Sequence, residues 1–74
     1  MIIEISDVFL KENQDKSKIE VEINEPKKII EVLEEIGIEN LGYAIFYLNE
    51  IKVDKNTTVN NQDKITVLPI VGGG

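Results

Sequence analysis

The sequence predicts an α+β domain, and three observations predict it. Apolar residues recur at every second position in short segments, as in Ile19-Glu20-Val21-Glu22-Ile23, and a period of two is that of a half-buried strand. The segment from Ile29 to Ile36 instead spaces its apolar residues by three and four, the period of a helix packed on one side. The first two strand-like segments are joined by a short polar stretch, which makes them an antiparallel hairpin.

Taken in order, Met1 to Leu10 reads as a strand. Met1, Ile3 and Ile5 alternate toward one face, and Val8, Phe9 and Leu10 follow the polar pair Ser6-Asp7. Such an interruption marks a bulge or a change of partner. Lys11 to Lys18 is polar throughout and reads as a connection. In the second strand Ile19, Val21 and Ile23 face a core, while Glu20 and Glu22 face water. Asn24-Glu25-Pro26 opens the helix, with Asn24 as N-cap and Pro26 in the first turn, where a missing N–H costs nothing. Ile29, Ile30, Leu33 and Ile36 form its apolar stripe, which is assigned to the core and to no cofactor. Lys27 and Lys28 oppose the macrodipole at a cost of a few tenths of a kcal/mol at most, and Gly37 supplies the left-handed residue that ends the helix.

Ile38 to Gly42 reads as a loop, and Tyr43 to Leu48 as the third strand. Asn49-Glu50 is a turn before a short fourth strand, Ile51-Lys52-Val53. Asp54 to Thr58 is a surface loop, Asn60-Asn61-Gln62-Asp63 a tight turn, and Lys64 to Leu68 the last strand. The order is ββαββ, with a short fourth strand. Residues 1–70 make the domain and 71–74 a flexible tail.

A chain of 74 residues is a single domain close to the size at which one core becomes marginal. With 42% apolar and 30% charged residues it has the composition of a folded soluble protein. It has no cysteine and no histidine. A disulfide, a thiol nucleophile, a hydrolytic triad and a histidine-containing metal site therefore have no residues to be built from. Carboxylate dyads remain chemically available, but no pocket-forming context accompanies them, so the chain is expected not to be an enzyme by itself and to bind no metal. Its formal net charge of −6, spread along the length, argues against nucleic acid, which calls for clustered Lys or Arg. No apolar run approaches the roughly 18 residues of a membrane span, and Met1-Ile2-Ile3-Glu4 is no signal peptide. A cytoplasmic location and no membrane partner are expected.

The segment that suggests chemistry is the last one, Val67-Leu68-Pro69-Ile70-Val71-Gly72-Gly73-Gly74. Three glycines without Cβ atoms can thread a narrow channel and present the Gly74 carboxylate to a second protein. A terminal glycine run is also what a linker or a cloning scar looks like, so the residues before it decide.

Those residues resemble the β-grasp sulfur carriers: the thiamine-biosynthesis carrier ThiS, the molybdopterin-synthase small subunit MoaD, and archaeal ubiquitin-like small modifiers. Leu48-Asn49-Glu50-Ile51-Lys52-Val53 is similar to their V-N-G-x-x-V block, with Glu50 where glycine is usual. Val59-Asn60-Asn61-Gln62-Asp63-Lys64-Ile65 is similar to L-x-D-G-D-x-V, with Gln62 in the glycine place. Val71-Gly72-Gly73-Gly74 is similar to the terminal V-S-G-G or V-A-G-G. Glu50 and Gln62 stand where the family's turns often take a positive φ, which costs a non-glycine residue about 1 kcal/mol unless the turns differ.

The resemblance implies a ubiquitin-like β-grasp: a mixed sheet of four to five strands around one helix, with first and last strands central and parallel. Ile29, Leu33 and Ile36 would pack on Ile3, Ile5, Ile19, Val21, Phe46, Leu48, Ile65 and Val67. If Phe46, Leu48, Ile65 and Val67 point inward, alternation leaves Ile45, Tyr47 and Leu68 outward. With Ile70 they would form a partner-docking patch beside the tail. The resemblance further implies that an E1-like adenylating enzyme, using its own ATP and Mg, activates Gly74, with Gly73 and Gly72 keeping the tail slim. A sulfur donor would then leave a thiocarboxylate for a sulfur-accepting enzyme, in molybdopterin or tungstopterin synthesis, thiamine thiazole synthesis or tRNA thiolation. This chain would contribute only the acyl group, bind no cofactor and be a monomer when free. A ubiquitin-like modifier conjugated through Gly74 to target lysines, and a binding module with an inert tail, are the alternatives.

Overall fold

The computed structural model describes residues 1–6, 9, 18–38 and 41–70. Seven strands and one helix follow in the order β1 (Ile2–Ile5), β2 (Lys18–Glu20), β3 (Lys27–Lys28), α1 (Ile29–Glu35), β4 (Ala44–Leu48), β5 (Ile51–Val53), β6 (Thr58–Val59) and β7 (Lys64–Pro69). Five strands make a mixed sheet in the order β2-β1-β7-β4-β5, while β3 and β6 form a separate antiparallel pair. β1 and β7 run parallel near the middle of the sheet, with Ile3 beside Ile65 and Ile5 beside Val67. The expected sheet, its single helix and its central parallel pair are therefore present. The order ββαββ is not that of the structure: three strands of the main sheet follow the helix, at the three segments read as strands there, and two further strands of two residues each lie outside it.

The first strand ends at Ile5 instead of reaching Leu10. The Ser6 N–H still donates to the Val67 carbonyl at 3.0 Å, and the Phe9 N–H then donates back to the Ser6 carbonyl at 3.1 Å. This turn falls at the polar interruption, and Phe9 packs half-buried against the core. Val8 and Leu10, like residues 11–17 of the predicted connection, lie outside the described residues. β2 is assigned only to Lys18–Glu20, although the Val21 N–H continues the pairing by donating to the Met1 carbonyl at 2.9 Å. Ile23 is buried, whereas Ile19 and Val21 are only half-buried at the sheet edge.

The helix begins later than Asn24 and Pro26 suggest, because residues 27 and 28 are taken up by pairing with Val59 and Thr58. Its capping is tertiary. The N–H groups of Ile29 and Ile30, orphans at any helix start, donate to the Thr57 and Lys55 carbonyls, each at 3.0 Å. The Glu31 carboxylate accepts from the Lys28 N–H at 3.0 Å, the carboxylate half of a capping box. At the surface Lys27 pairs with Glu35. The hydrogen bond to Glu35 raises the Lys27 ammonium above its ordinary 10.5, and such exposed pairs contribute little to stability.

The helix ends as Gly37 predicts. Gly37 takes φ +83 and its N–H donates to the Glu34 carbonyl at 3.1 Å, while the Ile38 N–H reaches the Leu33 carbonyl at 3.0 Å. These two bonds are the Schellman pattern, which draws the residue after the glycine against the helix. Ile38, predicted as loop, is accordingly buried at 2% exposure. The buried stripe is Ile29, Val32 and Leu33, with Ile30 and Ile36 half-buried. Val32 completes the spacing of three, four and seven from Ile29, and Ile30 stands on its shoulder. Against this stripe pack Ile3, Ile5, Phe46, Ile65, Val67 and, from the unpredicted β6, Val59. Each such side chain, fully buried, contributes about 1.5–3 kcal/mol of transfer free energy.

Candidate functional site

The candidate site is the end of β7 that leads toward the terminal glycines, together with the strand beside it. β4 and β7 are antiparallel, with Leu48 opposite Ile65, Phe46 opposite Val67, Ile45 opposite Leu68 and Ala44 opposite Pro69. Phe46, Ile65 and Val67 are buried, so the pleat turns Ile45, Tyr47, Leu68 and Ile70 to the face away from the helix. The predicted register therefore holds.

Of the four patch residues, Leu68 and Ile70 are 42% and 48% exposed, while Ile45 and Tyr47 are half-buried. Ile45 and Leu68 form a direct cross-strand pair. Tyr47 faces Thr66 one step further along, so the apolar surface fades away from the β7 end.

Pro69 occupies a position opposite Ala44, where it has no N–H to offer the ladder. The ladder resumes one residue later, the Ile70 N–H donating to the Tyr43 carbonyl at 2.7 Å. Ile70 is thus anchored to the neighbouring strand before the tail begins. Gly72, Gly73 and Gly74 lie outside the described residues.

Tyr43 is a surface residue the predicted patch omitted. It is 78% exposed and closes a single-turn 3₁₀ segment, Leu41–Tyr43, that leads into β4. Its parity with Ile45 and Tyr47 was the available signal, obscured because Tyr43 itself reads as the first residue of the strand. Tyr43 with Ile70, and Ile45 with Leu68, give two apolar rows across β4 and β7 beside the tail.

At the opposite end of the sheet the turns are tied by side chains. The Asn49 side chain accepts from the Lys64 N–H at 2.9 Å and donates to Asp63 at 3.0 Å. Asp63 in turn accepts from the Asn60 N–H at 2.7 Å. Asn61 accepts from the Ile23 N–H and donates to the Ile23 carbonyl, both at 2.8 Å. These Asn and Asp residues, which stand in the blocks that carry the family resemblance, are structural ties at the end away from the tail. Among the described residues no group of three acidic side chains is placed to hold a metal ion.

A mixed sheet gripping one helix, with an apolar corner at the end of its last strand, agrees with the β-grasp class of small ubiquitin-like domains. The family model of the ThiS family matches residues 8–74, and the chain belongs to that family. Members of the ThiS family are small sulfur-carrier proteins and not enzymes, and membership implies interaction with an E1-like activating enzyme and with sulfur-accepting partners. No curated protein matches the chain. Among the described residues no helix is long and apolar enough to cross a membrane.

Proposed function

We propose that this protein is a sulfur carrier activated at Gly74. A carboxylate oxygen of Gly74 attacks the α-phosphorus of ATP bound by a partner enzyme, and pyrophosphate leaves. The resulting acyl-adenylate is attacked at its carbonyl carbon by a sulfur nucleophile and expels AMP. With hydrogen sulfide or its equivalent as donor, the product is a C-terminal thiocarboxylate, one oxygen exchanged for sulfur. ATP, Mg and any thiol belong to the partner; this chain supplies the acyl group, the slim Gly72-Gly73 approach and the outer face of β4 and β7 for docking.

The observation that carries this reading is the ThiS-family match running through residue 74. The apolar rows at the base of the tail support it, because they place a hydrophobic surface beside the segment that must enter the partner's active site. The sulfur is destined for molybdopterin or tungstopterin, the thiamine thiazole or tRNA.

With the cognate adenylating enzyme and Mg-ATP, the protein should support exchange of pyrophosphate into ATP, since adenylation is reversible. With sulfide added, intact mass should rise by one oxygen-to-sulfur exchange at Gly74. Exchange without thiocarboxylate, together with appearance of the protein on target lysines, would replace the carrier reading with the modifier reading. No exchange with any ThiS- or MoaD-type activating enzyme of the source genome would overturn both and leave a binding module.

A further inference from the structure

We propose that the notch where β4 outruns β5 is a docking site for a polypeptide segment that presents one apolar side chain between carboxylates. β4 spans Ala44–Leu48, but β5 pairs only with Phe46, Tyr47 and Leu48. The sheet edge therefore steps back beside Ala44 and Ile45, opening a groove of about 390 Å³. Leu41, Ala44, Ile45 and Ile70 give it apolar walls, and the exposed Lys52 and Lys55 border it. Among the described residues Asp54 is the one acidic residue in its lining.

Charge selects the occupant. The chain as a whole carries −6 and repels acidic partners over much of its surface, yet among the described residues here two lysines stand against one aspartate. Among the described residues the ion pairs are Lys27–Glu35 and Lys64–Glu4, so Lys52 and Lys55 have no partner there and are available to a carboxylate from outside. Two hollows at the other edge of the sheet differ in charge balance. One is bordered by Glu20, Glu22 and the Met1 ammonium, the other by Glu20 and Lys18, and neither collects a surplus of cations. An acidic segment with a single apolar anchor matches the groove and is disfavoured at the other hollows. The groove shares Ile45 and Ile70 with the face proposed above for docking the activating enzyme, but the proposal concerns peptide binding alone and is tested without that enzyme.

The test uses the full chain labelled with ¹⁵N and two synthetic peptides with the same central leucine, flanked by glutamates in one and by lysines in the other. The glutamate peptide should shift the amides of Ala44, Ile45, Lys52 and Lys55, and added salt should weaken it. Lys52→Glu combined with Lys55→Glu should lower its affinity by about tenfold or more. Lys18→Glu, on the far edge strand, should change it by less than about twofold. Unchanged dispersion of the remaining amides shows that the variants fold. Equal binding of both peptides, shifts centred outside the groove, or no shift at about 1 mM peptide, a concentration that detects even millimolar affinity, would each overturn the proposal. So would groove shifts that appear without peptide on concentrating the protein, which marks a second copy as occupant.

Discussion

Glu50 has φ 74 and its neighbour Asn49 has φ 49, two left-handed residues in succession between the paired Leu48 and Ile51. That is the type I′ hairpin turn, which favours Asn followed by Gly. Asn49 fits it and is also held by its bonds to Lys64 and Asp63, whereas Glu50 carries a Cβ where glycine would be unstrained. Glu50→Gly should therefore raise stability by about 1 kcal/mol, seen as a higher urea midpoint at unchanged slope. A lower midpoint would mean that the glutamate side chain earns its place. Asn61 lies at the other extreme, since its amide replaces a strand partner for both backbone groups of Ile23. Asn61→Ala should cost about 1–3 kcal/mol by leaving them unpaired in a part-buried position. Asn61→Asp, which keeps the acceptor and loses the donor, should fall between. A loss below about 0.5 kcal/mol for Asn61→Ala, the size of an ordinary surface change, would show that water replaces the amide without penalty.

At the scale of elements, β4 offers the sharpest test of register. Phe46→Asp should unfold the domain, because it buries an unpaired charge at a site 5% exposed. Leu68→Asp, on the outer face, should change the melting temperature only slightly while weakening binding to the adenylating enzyme. If circular dichroism showed Leu68→Asp unfolded and Phe46→Asp folded, the two faces would be interchanged by a one-residue slip. In the last strand the register was legible because Lys64-Ile65-Thr66-Val67 alternates and fixes its buried side; Ala44 to Leu48 is apolar throughout, so its inward set came from the family resemblance and from pairing with that strand. The strand β3–β6 pair was not legible: two residues carry no period, and Lys27-Lys28 resembles the start of a helix whose true beginning is set by carbonyls of residues 55 and 57. Ile38 was hidden for a related reason. Its burial follows from the Schellman geometry that Gly37 creates, and no apolar pattern on the helix announces it. At the candidate site Leu68, Ile70, Ile45 and Tyr47 were reached by parity once Phe46, Leu48, Ile65 and Val67 were taken as inward. It passed over the notch between β4 and β5, which depends on how far two strands run side by side.

For the whole molecule, the described core is complete without the tail. Among the described residues the buried ones run from Ile3 to Val67, and the last backbone tie is the bond from Ile70 to the Tyr43 carbonyl. Removal of Gly73-Gly74 should therefore shift the melting temperature by less than about 2 °C, in a domain of a size at which 1 kcal/mol corresponds to about 4–8 °C. The same truncation should abolish pyrophosphate exchange, since the carboxylate is moved two residues from the ATP α-phosphate and a misplacement of about 1 Å can already cost ~10²-fold. Truncation before Pro69 should behave differently. It removes the pairing of Ala44 with Pro69 and the Ile70 tie, loosens the start of β4, and should lower the melting temperature by several degrees. The pair of truncations separates the scaffold from the reactive end. A large thermal loss on removing Gly73-Gly74 alone would show that the tail packs on the domain, and the channel-threading role would fail with it. Persistent exchange in the shorter chain would instead show that the activated atom is not the Gly74 carboxylate.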